Sequence, residues 1–216
     1  MEQTISLNRS ARTLLASLRH AEHSQEPFSY CLLEDVLPEE VCDGVAALPF
    51  PPPAAPVFDG RREANNAKRI YFTRETCRRF PVCQEVVEAF QNERVKSEIE
   101  STTGARLAGG RLRVEYCQDV DGFWLEPHVD IPEKLLTLLV YLTDSPDLHD
   151  AGTDIYDATP AHARVATVPY EWNAGLAFVP AKDTWHGFTR RPVRGVRKSL
   201  IVNFVSREWR AVHELC

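Results

Sequence analysis

The residues that invite chemistry in this chain are His128-Val-Asp130, His186 and the run Arg197-Lys-Ser199. Two histidines and one carboxylate are the ligand set of a non-haem ferrous site that keeps coordination positions open. In an extended strand residues two apart point to one face, so His128 and Asp130 can reach a single ion, and Arg197 and Ser199 share a face of their own. His186 must come from elsewhere; it follows the apolar run Gly175-Leu-Ala-Phe-Val179, which ends at Pro180. Arginine presents a planar fork suited to a carboxylate. A dicarboxylic co-substrate that chelates the metal by a keto-acid end and meets Arg197 with its far carboxylate would use both features, which points to 2-oxoglutarate. A His-x-Asp triplet alone is weak; the weight rests on the positions taken together.

In the order Tyr116, His128-x-Asp130, Tyr141, Gly152-Thr153, His186, Arg197-x-Ser199, the sequence resembles the iron- and 2-oxoglutarate-dependent oxygenases, especially their compact prolyl-hydroxylase-like branch, over about residues 110–205. The resemblance implies that His128, Asp130 and His186 ligate Fe(II) and that Arg197 binds the distal carboxylate of 2-oxoglutarate. It implies that Tyr141 hydrogen-bonds the same carboxylate, that Tyr116 lies near the co-substrate, and that Ser199 follows the arginine as in the Arg-x-Ser variant. Dioxygen would be the second co-substrate, succinate and carbon dioxide the co-products, and ascorbate a stimulant. Ala151-Gly152-Thr153 stands where many relatives carry Gly-Gly before the threonine. That departure leaves subfamily and substrate open.

The elements that must position these residues follow from the pattern around them. Leu112, Val114 and Tyr116 alternate with Arg111, Arg113 and Glu115, which predicts a strand with Tyr116 facing inward. Residues 134–143 are nearly continuous apolar, as expected of a strand covered on both faces. Leu135, Thr137, Leu139 and Tyr141 fall on one face; Leu136, Leu138, Val140 and Leu142 fall on the other. Further strands are predicted over 154–156, 164–168, 175–179 and 196–205. Short strands separated by Pro, Gly and Asp turns, preceded by helices, predict an α+β fold: a double-stranded β-helix, or jelly roll, with supporting N-terminal helices.

In the first half, Ser10 is the expected cap of a helix through Leu14, Leu15 and Leu18, with His20 and His23 in its continuation. Residues 28–33 suit a strand, and Pro38 opens a short helix marked by Val41, Val45 and Leu48. Five prolines between Pro49 and Pro56 suit an extended connector. Residues 59–69 are polar without period and read as a solvated loop or a substrate lid. One long helix is predicted from Val82 to Thr102, with Val86, Phe90, Val95 and Ile99 inward and Gly104 as its stop.

With 216 residues, 44% hydrophobic and 26% charged, the chain suits one folded domain rather than a disordered segment. Residues 1–109 are expected to give helical support and substrate-side loops, 110–205 the catalytic core, and 206–216 a tail. A formal charge of −6 offers no general attraction to nucleic acid. No run of apolar residues suggests a membrane span or a leader, so the cytoplasm is the expected compartment. The six cysteines form no C-x-x-C pair and read as reduced, mostly buried thiols.

Other histidines are weaker candidates: His20 and His23 lack a convergent partner, and His149, His162 and His213 read as loop or tail residues. Phe123, Trp124, Trp172, Trp185 and Phe188 are core residues of which one or two could wall a pocket. Asp183 is a turn residue or a partner for His186. Arg190, Arg191 and Arg194 read as a solvated turn. The chain between Asp130 and His186 leaves no room for a large inserted domain, which favours a small metabolite or saccharide as substrate. A peptidyl, prolyl-type hydroxylase and a cupin-like metal protein without 2-oxoglutarate are the alternatives.

Overall fold

The structure, a computed structural model, describes residues 7–54, 58–61 and 69–216. Among the described residues the helical layer is formed by α1 (Arg9–Arg19), α2 (Glu39–Ala46), α3 (Arg74–Arg79), α4 (Pro81–Gln91) and α5 (Glu93–Thr103). Asn8, not Ser10, caps α1, accepting from the Ala11 N–H at 2.7 Å. Ser10 is buried in the first turn and donates to Glu85 at 2.6 Å. The helix stops at Arg19, so His23 falls in a strand, β1 (Glu22–Ser24).

The expected helix from Val82 to Thr102 is two. The backbone turns extended at Asn92 (φ −64, ψ 129), whose side chain accepts from the Arg94 N–H at 3.0 Å and starts α5. The apolar period hides this break because Val86, Phe90, Val95 and Ile99 all pack into one cluster. Gly104 does end α5, in the left-handed conformation at φ 76. Pro38 sits just ahead of α2 rather than within it, and α3, which buries only Cys77, has no period to betray it.

The remaining strands are β2 (Tyr30–Leu33), β3 (Ile70–Tyr71), β4 (Arg111–Asp119), β5 (Leu125–His128), β6 (Lys134–Tyr141), β7 (Asp154–Tyr156), β8 (Arg164–Thr167), β9 (Gly175–Phe178), β10 (His186–Phe188) and β11 (Arg197–Val205). They make a seven-stranded sheet ordered β1-β2-β9-β6-β11-β4-β3 and a four-stranded sheet ordered β5-β10-β7-β8. This is the double-sheet jelly roll, antiparallel throughout. Leu136, Leu138 and Val140 of β6 and Leu200, Val202 and Phe204 of β11 pack with the helices. Leu139, Tyr141, Leu176 and Phe178 pack between the sheets, with Ile155 and Phe188 of the smaller sheet.

Two strands differ from expectation in the face they present. On β4, Tyr116 pairs with Leu200 and belongs to the helix-side cluster, where its hydroxyl donates to the Ala46 carbonyl at 3.5 Å. Tyr116 therefore points away from the sheet-to-sheet space. The alternation is as read, but the apolar set meets the helices, while Arg113, Glu115, Cys117 and Asp119 face inward. On β6, the pairing with β11 shifts between Phe204 and Val205. That bulge sends Leu135 to the helix-side cluster and brings Lys134 onto the inner face beside Thr137.

The tail returns to β4: Glu214 accepts from Arg113 Nε at 2.6 Å, and the Cys216 N–H donates to the Leu112 carbonyl at 3.1 Å. All six cysteines are free and five are buried. Burial pushes the Cys31 thiol up to about 11 and those of Cys42, Cys83 and Cys216 up to about 12, so these are protonated at neutral pH. Among the described residues no helix is long and apolar enough to cross a membrane.

Candidate active site

The last residue of β5 and the first of β10 are register partners: His128 lies opposite His186, with ring centroids 4.3 Å apart. Gly187 permits the close pairing, since a Cβ there would stand 2.8 Å from the Leu125 carbonyl oxygen and 2.9 Å from that of Glu126. Each ring is tethered two residues back. His128 Nδ1 lies 2.9 Å from the Glu126 carbonyl and His186 Nδ1 2.9 Å from that of Thr184. A carbonyl only accepts, so Nδ1 carries the proton in both rings and Nε2 keeps its lone pair. Thr184, rather than Asp183, is thus the partner that orients His186.

Asp130 lies two residues beyond β5. Its carboxylate accepts from Lys134 Nζ at 2.5 Å and from Thr137 Oγ1 at 2.6 Å. One ligand atom from each of His128, Asp130 and His186 falls within 4.8 Å of the others, and no second such group occurs among the described residues. Burial, with His186 alongside, pushes His128 down to about 3, so it is held neutral, the form that binds a metal. Two imidazole nitrogens and one carboxylate oxygen fit a ferrous ion that retains open positions.

The cluster opens into a cavity between the sheets, walled by Phe123, Leu139, Phe188 and Ile201. Arg197 lines the same cavity. It is 5% exposed, donates from Nε to the Ala151 carbonyl at 2.6 Å and from Nη1 to Asp119 at 2.8 Å, and leaves Nη2 without a hydrogen bond to a described residue. Lys198 turns the other way, its Nζ donating to the Ala46 carbonyl on the helix side at 2.8 Å. Tyr141, fully buried, donates to Thr153 Oγ1 at 2.9 Å and accepts from the Thr153 N–H at 3.1 Å. Thr153 is brought there by Gly152, where a Cβ would stand 1.6 Å from the Val168 carbonyl oxygen. Ser199 pairs with Tyr141 on one side and Cys117 on the other, and its buried hydroxyl has no partner among the described residues.

Solved structures match this arrangement of elements. A prolyl-4-hydroxylase of Pseudomonas putida is 17% identical, with a TM-score of 0.54 over 95% of this chain and 99% of that one. A prolyl hydroxylase from Trichoplax adhaerens, solved in complex with a hypoxia inducible factor oxygen degradation domain peptide fragment, is 14% identical, with a TM-score of 0.59 over 96% of each chain. The fold is that of the prolyl hydroxylases. No protein-family model matches the sequence, and no curated protein matches it. A third structure on the prolyl-hydroxylase fold, from Phytophthora capsici, is 10% identical, with a TM-score of 0.57 over 96% of this chain and 68% of that one.

On this prolyl-hydroxylase fold the inner wall carries polar residues that the sequence pattern did not single out. Thr137 accepts from Asn203 Nδ2 at 2.9 Å; Asn203 Oδ1 accepts from Arg113 Nη1 at 3.1 Å; Arg113 also reaches Glu115 Oε1 at 2.8 Å. A hydrogen-bonded chain therefore joins Asp130 to Glu214 through Thr137, Asn203 and Arg113. Lys134 opens the otherwise apolar run of residues 134–143, and the bulge turns it inward. Arg69, the end of the presumed solvated loop, is buried and lines the cavity. Residues 62–68, on which the lid expectation also falls, lie outside the described residues.

The other candidates lie apart from the cavity. His149 approaches Glu171 at 3.9 Å, and His162 stacks on Trp185 with centroids 3.7 Å apart. Of the aromatic residues, Phe123 and Phe188 wall the cavity, Trp172 packs against the helix-side cluster, and Trp124 lies under Arg190. Arg191 is not solvated: it donates to Asp154 at 2.7 Å and to the Gly152 carbonyl at 2.8 Å.

Proposed function

We propose that this protein is an Fe(II)- and 2-oxoglutarate-dependent dioxygenase that hydroxylates an unactivated C–H bond, with succinate and carbon dioxide as co-products. The observation that carries the reading is one cavity holding both the His128, Asp130, His186 cluster and the buried, partly unpaired guanidinium of Arg197. A cupin-like metal protein would have no use for that arginine.

His128, Asp130 and His186 would hold the iron, which when bound supplies dioxygen activation with 2-oxoglutarate as the two-electron reductant. The rest is the work of the chain. The carbonyls of Glu126 and Thr184 fix the tautomer and aim of each imidazole, and Lys134 and Thr137 fix the carboxylate. Asp119 and the Ala151 carbonyl hold Arg197 with Nη2 available for a carboxylate, which would be reached beside the Tyr141 hydroxyl. Phe123, Leu125, Leu139, Phe188 and Ile201 give the cavity apolar walls that exclude water from the reacting groups.

A small metabolite or saccharide is the favoured prime substrate, in keeping with the short chain between Asp130 and His186. A peptidyl substrate is the second reading. It is favoured by a groove that passes His128 and Asp130 and includes Ile131, 51% exposed, and Trp209. Succinate release by the purified protein with Fe(II), ascorbate and air tests the proposal. Slow release that depends on 2-oxoglutarate is expected without any prime substrate, and a panel of metabolites against prolyl peptides then separates the two readings by acceleration.

A further inference from the structure

We propose that Arg69 is a second oxyanion-binding residue of the cavity and that it takes a carboxylate of the prime substrate, which makes that substrate a small organic acid. The inference rests on the assignment of Arg197 to the co-substrate. Arg69 immediately precedes β3, the edge strand paired with β4. Its side chain is 5% exposed and lines the same cavity as the metal-ligand cluster.

One edge of this guanidinium is occupied. Nη1 donates to Cys117 Sγ and faces Glu115 Oε2 at 3.6 Å, while Glu115 makes its closer contact, 2.8 Å, to Arg113. The opposite edge is open: Nε is buried with no partner, and Nη2 makes no hydrogen bond with a described residue. A buried charged donor left unpaired is costly, and native interiors seldom retain one unless a ligand or water completes it. Nε and Nη2 are the parallel pair that meets both oxygens of a carboxylate side-on. Arg197 cannot offer that edge, because its Nε is spent on the Ala151 carbonyl.

The two guanidiniums also sit at different levels. Arg197 lies at Asp119 and Arg69 at Cys117 and Glu115. Cys117 and Asp119 are neighbours on one face of β4, about 7 Å apart along the strand. Glu115 is level with Ile201 and Leu139, one pair before Asn203 and Thr137, and Thr137 holds Asp130. Arg69 therefore stands between the level of Arg197 and that of the metal ligands. An acid gripped there keeps its carbon skeleton beside the metal site without competing for Arg197.

Acetate is the test probe, followed by saturation-transfer NMR on the metal-free protein and by Mn(II)-induced relaxation of its methyl protons on protein loaded with Mn(II) and 2-oxoglutarate. Wild type should bind acetate in both states, with relaxation marking a place near the metal. Arg69→Met should weaken acetate at least tenfold and leave the 2-oxoglutarate Kd within about threefold. Arg69→Lys keeps the charge but loses the paired edge; it should also weaken acetate, and it decides the matter if Arg69→Met does not fold. Equal acetate binding by wild type and both variants overturns the proposal. So does a rise in 2-oxoglutarate Kd in Arg69→Met as large as that in Arg197→Met, and so does tighter binding of inorganic phosphate than of acetate. If wild type fails to bind 2-oxoglutarate, the parent reading falls, while acetate binding to the metal-free protein still decides the role of Arg69.

Discussion

Lys134 and Asp130 form an ion pair inside the candidate metal site, Nζ to Oδ1 at 2.5 Å, with both side chains 2% exposed. The lysine thus supplies the countercharge for a carboxylate that a metal would otherwise neutralise. Removing one partner of a buried pair costs about 3–5 kcal/mol because the other charge is stranded. Lys134→Met should therefore lower the stability of the metal-free protein by about that amount. Mn(II) should restore part of it, so the rise in melting temperature on adding metal should be larger in the variant than in wild type. A rise no larger than that of wild type would mean that metal does not replace the lysine at Asp130.

Gly187 keeps β10 against β5 and hence His186 against His128. Gly187→Ala should force these strands apart at the Leu125 and Glu126 carbonyls and weaken Mn(II) binding by about 10–100-fold, the usual scale for disturbed ligand orientation. Equilibrium titration with Mn(II) reads this directly. Unchanged affinity would show that the two imidazoles do not act on one ion.

Part of the site was legible because Arg197 and Ser199 lie two apart on β11, where a face can be read without knowing the fold; Asp130 meets His128 from beyond the end of β5. The spacing puts Arg197 and Ser199 on one face of a strand, and in the fold Arg197 enters the cavity while Lys198 turns to the helix side. For Tyr116 the alternation holds but the face is the opposite one. Apolar residues normally point inward, but here the interior beside β4 is polar and the helices take the apolar set. Lys134 escaped notice because a bulge is a shift between two paired strands, and one strand's pattern contains no trace of its partner's register. Arg69 escaped because a largely polar run without apolar period, residues 59–69, suggests solvent, whereas its last residue enters the core. The break at Asn92 was masked by helices on either side that bury into the same cluster.

Arg197 and Lys198 carry like charges on opposite faces of β11, which separates binding from mere charge. Loss of a buried carboxylate partner costs about 2–5 kcal/mol, so Arg197→Ala should raise the 2-oxoglutarate KM by roughly 30-fold or more. Iron affinity should persist, because Arg197 does not touch the ligand atoms. Lys198→Ala should leave that KM nearly unchanged. The reverse pattern would place the inner face of β11 one residue out of register.

His128 gives the metal-free protein a pH signature. Its folded-state value of about 3 lies below the ordinary histidine value of about 6.5, so the unfolded chain binds the extra proton between them. Its contribution to stability is therefore fully present above about pH 6.5 and falls away as the pH drops toward 3. Urea unfolding at pH 7 and pH 5 should show wild type losing more stability than His128→Gln. Equal losses would show that His128 titrates normally in the fold.

The most direct measurement is an anaerobic titration of Fe(II)-loaded protein with 2-oxoglutarate, followed by the visible charge-transfer absorption of a keto acid chelated to ferrous iron. Wild type should develop this band saturably at one equivalent of iron. Arg197→Ala should need roughly 30-fold or more 2-oxoglutarate to reach the same band. His128→Ala and His186→Ala should show no band at iron concentrations that saturate wild type. A wild-type protein that binds Fe(II) yet develops no band, or a band that survives loss of either histidine, would contradict the account.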